Sequence, residues 1–113
     1  EHYNKALEIR LAIFGERHPD VAKSYNNIGA VYDSQGNYSA ALEHYNKALE
    51  IRLAIFGERH SQVGDVCLNI AVTYLEMEDE ENAIEYMKMG AAAGNEECIE
   101  CLGENGIEWN VDE

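Results

Sequence analysis

The sequence predicts an all-α protein, an αα-hairpin solenoid of about six helices. The segment EHYNKALEIRLAIFGERH at positions 1–18 recurs unchanged at 43–60, which sets a period of 42 residues. Within one period, apolar residues recur every three or four positions, which is typical of amphipathic helices. Glycine-containing turns separate these helical runs. A single αα-hairpin cannot bury its apolar stripe, so neighbouring hairpins must cover it.

The period divides the chain into four segments. Residues 1–18 form the second helix of an incomplete first repeat, and 19–60 form a complete repeat. Residues 61–94 form a divergent repeat, and 95–113 form a capping helix with an acidic tail. The divergent repeat is recognised by identities at a further shift of 42 residues, as expected for the drifting terminal unit of an array. These identities are Val21/Val63, Asn27/Asn69, Ile28/Ile70, Tyr32/Tyr74, Ala41/Ala83 and Glu43/Glu85.

The complete repeat contains two predicted helices. The first spans 19–34, because Pro19 suits a first helical turn and apolar residues follow at helical spacing. Gly36 marks the turn after it, and a second helix is predicted over 38–56, ended by Gly57. The small residues within these helices provide clearance for bulky partners on the facing helix. They are Gly29, Ala41 and Ala48.

Two later helices are predicted to begin after capping residues. Asp79 is the predicted N-cap of a helix that begins near Glu80. Asn95 is the predicted N-cap of a helix over 96–102 that closes the array. In that last helix Cys98, Ile99 and Leu102 are expected to point inward, with Glu96, Glu97 and Glu100 outward and Trp109 folding back over the end. A polar outer face is what a terminal unit requires for solubility.

The spacing of large and small residues resembles the tetratricopeptide repeat signature. The residues that carry the resemblance are Tyr25, Ile28-Gly29, Tyr32, Gly36, Tyr38, Ala41, Tyr45 and Ala48. Over about residues 1–90 the 42-residue unit is similar to the repeats of kinesin light chains, whereas Gly94, Leu102-Gly103 and Asn105-Gly106 are similar to Sel1-like repeats. The resemblance implies a right-handed superhelix that acts as a protein–protein interaction scaffold and binds a peptide segment of its partner in a concave groove.

The resemblance also places peptide-contacting residues on the first helix of each hairpin. These positions are Lys23, Asn26, Asn27 and Asp33, followed by Asp65, Asn69, Thr73 and Glu76 in the next unit. An asparagine amide both donates and accepts hydrogen bonds, so it can hold a peptide backbone of any sequence. In the second set Cys67 replaces Tyr25 and Leu68 replaces Asn26, so the pattern changes there. The alternative is that Asn27 and Asn69 only bond neighbouring helices.

The formal charge of −14 is unevenly distributed. Residues 1–60 hold eight acidic residues and seven Lys or Arg, whereas 61–113 hold fourteen acidic residues and only Lys88. This field repels phosphates and attracts a basic peptide, so we expect a protein or peptide partner and no nucleic acid. The alternative is a solvated, aggregation-resistant end of the array. No apolar run approaches the ~20 residues of a membrane span, and no membrane partner is expected.

Two clusters invite a chemical interpretation. Cys98-x-x-Cys101 lacks the four ligands of structural zinc and the βαβ context of a redox motif, so buried structural thiols are expected instead. The acidic residues of 76–81 lack the glycine and the spacing of a calcium loop. No nucleophile–base pair is visible in the sequence, and we therefore expect no enzyme activity, no metal and no cofactor. Three cysteines without a disulfide framework fit the cytoplasm.

A rival function is a structural or self-associating array without a dedicated ligand. The unchanged duplication favours recent expansion or consensus design, and either could leave no selected site. The helix at 1–14 has no first helix before it, so an apolar stripe is predicted to be exposed and to stack on another chain. The residues of this predicted self-association stripe are Tyr3, Ala6, Leu7, Ile13 and Phe14.

Overall fold

The computed structural model describes residues 7–9 and 18–108, and in this part of the chain every regular element is a helix. Residues 7–9 are helical. Five further helices follow: α1 (Pro19–Ser34), α2 (Tyr38–Phe56), α3 (Ser61–Glu76), α4 (Glu80–Ala92) and α5 (Glu96–Glu104). The predicted all-α class is confirmed. The helices predicted over 19–34 and 38–56 have the predicted bounds, and the closing helix is two residues longer than predicted.

The chain divides into two compact units, Glu1–Ile55 and Phe56–Glu113. The first unit contains residues 7–9, α1 and all of α2 except its last residue. Its core cluster consists of Leu7, Val21, Ala22, Ile28 and Ile51. Beside this cluster Gly29 faces the ring of Tyr45, and a Cβ atom at Gly29 would lie 2.7 Å from Tyr45 Cδ1. The predicted clearance at Gly29 is therefore confirmed.

The burial of Leu7 corrects one part of the predicted self-association stripe. Leu7 is only 9% exposed because the apolar face of α1 packs against it within the first unit. The helix that follows Leu7 supplies this contact, so no preceding helix is needed to cover the residue. Ile9, on the same turn, is 57% exposed. The other four residues of the stripe, Tyr3, Ala6, Ile13 and Phe14, lie outside the described residues.

The second unit consists of α3, α4 and α5 packed in sequence, with α4 contacting both other helices. Its core cluster consists of Ala71, Met87, Ala91, Cys98 and Leu102. A second glycine provides close approach here: a Cβ atom at Gly90 would lie 2.5 Å from Cys98 Sγ and 3.4 Å from Cys67 Cβ. As predicted, α5 buries Cys98 and Leu102 and exposes Glu96, Glu97 and Glu100, while Ile99 is half-buried. Trp109 lies outside the described residues.

A histidine at the same repeat position, His18 or His60, caps the start of the first helix of each hairpin. His18 Nδ1 accepts a hydrogen bond from the Asp20 backbone N–H at 3.0 Å, and His60 Nδ1 accepts one from the Gln62 N–H at 3.1 Å. Both histidines have nearly identical extended backbones, with φ/ψ of −111°/140° and −114°/142°. Histidine is not a typical N-cap residue, so the sequence does not predict this role. The predicted N-caps Asp79 and Asn95 are confirmed, as their carboxylate and amide oxygens accept from Asn82 N and Cys98 N.

Four helices end in the same hydrogen-bonded turn. In each turn the residue two beyond the helix has positive φ and donates its N–H to the carbonyl three residues back, and the next residue donates to the carbonyl five back. This pair of bonds defines the Schellman motif, whose left-handed position is usually glycine. The left-handed residues are Gly36, Glu78, Gly94 and Gly106, with φ of 78°, 60°, 94° and 68°. Glu78 is therefore the strained member of the set.

Replacing Glu78 with glycine should raise the free energy of unfolding by about 0.5–1 kcal/mol. The left-handed conformation costs a residue with a Cβ atom about 1–2 kcal/mol, and the greater unfolded-state entropy of glycine offsets part of this gain. The matched control is Gly36→Ala, at the equivalent turn after α1, where a Cβ atom would meet nothing within 4 Å. This control isolates backbone strain and should lower the free energy of unfolding by about 1 kcal/mol. Urea denaturation of both variants checks the prediction, and equal shifts in the same direction would contradict it.

Candidate functional site on the first helix of each hairpin

The outward face of α1 carries three of the four side chains of this helix that are predicted to contact a peptide. Lys23 is exposed, and Asn26 and Asn27 are half-buried. These residues are three and four positions apart, so they lie on one side of the helix. The apolar residues of α1, such as Val21 and Ile28, lie in the core of the first unit. The helix therefore separates a packing face from a polar face with both donors and acceptors.

Asp33 lies near the end of α1 and is half-buried. Its Oδ1 atom is buried and accepts no hydrogen bond from the part of the chain that the structure describes. A buried acceptor without a partner costs about 1–3 kcal/mol.

The orientation of α1 is held by rings from α2. His44 lies with its ring centroid 5.2 Å from that of Tyr32 and 6.1 Å from that of Tyr25. Its Nδ1 atom lies 2.8 Å from the Ala40 carbonyl oxygen, so this nitrogen donates a hydrogen bond to its own helix. Because the imidazole is held from both sides, it connects the two helices at a defined position. The close approach of Gly29 to Tyr45 adds a second fixed contact.

The outward face of α3 differs from that of α1. Asp65 and Glu76 are exposed, and Asn69 is half-buried. Between them, however, Val72 and Leu75 are 39% and 43% exposed. These apolar side chains stand where α1 has Ala30 and Asp33, at the shift of 42 residues. Aligning the two units at this shift therefore predicts apolar residues on the outward face of α3, although the family motif does not include these positions.

The structure contradicts the prediction that the Thr73 side chain contacts a peptide. Its side chain is fully buried, and its hydroxyl donates to the Asn69 carbonyl at 2.9 Å. A threonine can satisfy its hydroxyl on the carbonyl four residues earlier in its own helix, so it needs neither solvent nor a ligand. Asp65 has a local role as well, because its carboxylate accepts from the Asn95 amide at 3.4 Å. This bond links α3 to the start of α5.

The cysteines are placed as structural thiols. Cys67 and Cys98 are buried, and Cys101 is half-buried. Burial raises the pKa of the Cys67 thiol to about 12 and that of Cys98 to about 11. Both thiols are therefore protonated near neutral pH, whereas metal binding and nucleophilic attack require the thiolate. Within residues 7–9 and 18–108, no three His, Cys, Asp or Glu side chains are grouped to hold a metal ion.

The acidic residues after α3 serve the turn and the next helix. Asp79 caps α4, and its second carboxylate oxygen accepts from the Asn82 side-chain amide at 2.8 Å. Glu80 and Glu81 occupy the first turn of α4, where negative charge is favourable. These contacts explain part of the acidic run without a ligand. In the described ranges no helix is both long and apolar enough to cross a membrane.

A pocket of about 360 Å³ lies at one end of the second unit. We call it the end pocket. It forms where α3 ends, α4 begins and α5 ends, and the turn after α5 closes it. Its apolar lining includes Leu75, Ile84, Met87, Leu102 and Ile107, and its polar lining includes Glu80 and Asn105. Sequence patterns do not predict this pocket, because it depends on how three helix ends meet.

Comparisons with known proteins define the class of this chain. Residues 1–54 match one family profile of the tetratricopeptide repeat, and residues 64–88 match another. Together the two matches cover more than half of the sequence, and the chain belongs to the tetratricopeptide repeat family. Repeats of this family generally mediate protein–protein interaction and are generally non-enzymatic scaffolds.

A solved structure supports the finer resemblance. The crystal structure of BtubC (BKLC) from P. vanneervenii matches with a TM-score of 0.77 and 26% sequence identity, covering 81% of this chain and 36% of that chain. BtubC is a kinesin-light-chain-like tetratricopeptide repeat protein, so the predicted similarity to kinesin light chains is confirmed. The chain spans about a third of the length of BtubC. No curated protein matches the sequence. The Sel1-like similarity after residue 90 stays a prediction.

Proposed function

We propose that this chain is an interaction scaffold that binds a peptide segment of a partner protein, in the groove that first helices line in the tetratricopeptide family. The observation that carries the proposal is the polar face of α1. Lys23, Asn26 and Asn27 lie on one side of a helix whose other side is packed into the core. A surface for extended peptides requires such a row, because the peptide backbone presents donors and acceptors in alternation.

Each side chain of this face has a defined part in the proposal. The amides of Asn26 and Asn27 bond the peptide backbone, so they contribute affinity for peptides of varied sequence. Lys23 contributes a single positive charge for a carboxylate of the ligand. Asp33, which is half-buried near the end of α1, contributes a carboxylate as a hydrogen-bond acceptor. In the second unit, Asp65, Asn69 and Glu76 are the corresponding contacts.

In this proposal the chain acts by binding alone, in the cytoplasm, and performs no chemical step. Two features support that choice. The buried thiols are held in the protonated form, and Asp79 is occupied as a helix cap. General acid–base or nucleophilic catalysis requires groups with accessible, activated side chains. This choice is tested by asking whether variants that lose peptide binding also lose their effect on the partner protein.

The double variant Lys23→Ala/Asn27→Ala should weaken peptide binding about tenfold. Each removed hydrogen bond contributes about 0.5–1.5 kcal/mol, and 1.4 kcal/mol corresponds to a factor of ten in Kd. Peptides selected from a random displayed library against the unaltered chain would be titrated calorimetrically against each variant. Both substitutions lie on an outward face, so the fold should be retained, which circular dichroism checks.

The matched control is Asn46→Ala/Lys47→Ala on α2. Asn46 is half-buried and Lys47 is exposed, so the pair repeats the residue types and exposures of Asn27 and Lys23 on another surface. We expect peptide affinity within about twofold of the unaltered chain, as for most interface-distant substitutions. Equal affinity for both double variants would remove the α1 face as the binding site. A library that yields no peptide, with a chain that self-associates in sedimentation, would favour the rival structural array.

A further inference from the structure

The end pocket is lined mainly by aliphatic side chains and is built from the acidic second half of the sequence. Glu80 lines it, and six other exposed glutamates are each next in sequence to a lining residue. These are Glu76, Glu81, Glu85, Glu100, Glu104 and Glu108. Lys88 is the one basic residue of 61–113, and it lies in the third turn of α4, outside the lining. Negative charge therefore predominates in the part of the sequence that forms the pocket.

The ends of the helices add to this negative potential. α3 and α5 both point their C-terminal ends toward the pocket, and the C-terminal end of a helix carries partial negative charge. Stabilised helices usually place Lys, Arg or His in this last turn, yet neither helix has a basic residue there. Instead Glu76 and Glu104 occupy the last turns, where a carboxylate is unfavourable. A cation brought by another molecule would meet the Glu80 carboxylate and the negative ends of α3 and α5, which outnumber the positive N-terminal end of α4.

The size and lining of the end pocket limit what it can receive. At about 360 Å³ it lies at the lower end of the ~300–1,000 Å³ of small-molecule pockets, which suits one or two side chains. The aliphatic lining of Leu75, Ile84 and Leu102 selects an apolar group. Leu75 is 43% exposed at this site, so a ligand can bury surface there that the chain alone leaves in water.

We propose that the end pocket binds an apolar side chain, such as phenylalanine or leucine, of a partner segment that carries lysine or arginine on both sides of it. The apolar anchor fills the pocket, and the flanking cations pair with the carboxylates around its mouth. This division matches interfaces in which a buried anchor supplies affinity and charged rims steer association. The site lies within the second unit and does not depend on peptide binding by the α1 face.

The test uses a short labelled peptide with one phenylalanine between lysine-rich flanks, measured by fluorescence anisotropy against the full chain. Two further peptides serve as comparisons, one with serine in place of phenylalanine and one with glutamate in place of lysine. We expect binding of the first peptide alone, weakening about tenfold or more between 50 and 200 mM salt as for a multiply charged contact. Binding of the glutamate-flanked peptide with equal affinity would overturn the proposal.

Two pairs of chain variants locate the site. Leu75→Ser should weaken binding about tenfold, whereas Val72→Ser, on the same helix with similar exposure but outside the pocket, should leave it within about twofold. Glu104→Lys should weaken binding about three- to tenfold, and Glu97→Lys, with the same charge change at the other end of α5, should have a smaller effect. Equal effects within either pair would overturn the assignment.

Other occupants would give different results. If a second copy of this chain fills the pocket, the peptide will not bind, and Leu75→Ser will abolish a concentration-dependent dimer seen by sedimentation. If the C-terminal segment of the same chain fills it, Trp109→Ala will bind the peptide and the unaltered chain will not. Either result would overturn the proposal. The two proposals can fail separately. If Leu75→Ser has no effect on binding of the lysine-rich peptide, the end pocket is excluded as its binding site. If Lys23→Ala/Asn27→Ala still abolishes library-peptide binding, the proposal for the α1 face stands.

Discussion

Replacing Leu102 with alanine should lower the free energy of unfolding by about 3 kcal/mol, within the ~2–5 kcal/mol range for buried leucines. Leu102 is fully buried, belongs to the core cluster of the second unit and also lines the end pocket. Its truncation would enlarge an existing cavity, and the surrounding helices cannot collapse easily around a larger void. Urea denaturation followed by circular dichroism measures the change.

The control for this prediction is Glu100→Ala, an exposed position on the same helix. Surface substitutions of this kind usually change the free energy of unfolding by less than about 0.5 kcal/mol. A large difference between the two variants shows that α5 is part of the core of the second unit. A Leu102→Ala change below about 1 kcal/mol would instead mean that α5 is loosely attached, since such a small loss does not fit a buried leucine.

Gly90→Ala should lower the free energy of unfolding by about 2 kcal/mol, as typical overpacking costs ~1–3 kcal/mol. The new Cβ atom would lie 2.5 Å from Cys98 Sγ, a distance that real contacts do not reach. Cys98 is fully buried, and its short side chain has no flexible end that could move away. α5 must therefore shift away from α4. Thermal and urea denaturation measure the loss.

Two further variants separate the clash from other effects. Gly103→Ala, in α5, meets nothing within 4 Å and should leave stability unchanged or raise it by up to ~1 kcal/mol through helix propensity. Cys98→Ala removes the atom that Gly90→Ala would strike. The double variant Gly90→Ala/Cys98→Ala should therefore be more stable than the sum of the single effects predicts, by about 1 kcal/mol of coupling. Additive effects would show that the contact does not cause the loss.

The sequence predicts the helices well because local chemistry determines their ends. Pro19 begins α1, and Gly36 and Gly57 follow α1 and α2, so each boundary depends on neighbours only a few residues away. The close packing at Gly29 is also predictable, since a glycine inside a helical stripe usually has a packing reason. The 42-residue period and its pattern of large and small residues then indicate the tetratricopeptide family.

Burial of individual residues is less predictable, because it depends on which helix covers which face. Leu7 lies at the start of the chain yet is covered by α1. Thr73 is polar yet buried, whereas Val31, one period earlier, is apolar and 37% exposed. Residue type and period therefore identify the candidate face of each first helix. They do not determine which side chains on that face reach the solvent.

The histidine caps bear on how such an array can grow. The last residue of the duplicated segment is the histidine that caps the following helix. Its ring accepts a hydrogen bond from a backbone N–H, which every residue except proline provides. His18 accepts from Asp20 after a proline, and His60 accepts from Gln62 after a serine, with the same geometry. A tandem copy of the gene segment thus carries its own helix-start signal into whatever sequence it precedes. Lengthening of the array by recombination therefore does not require a new cap residue at the start of the following helix.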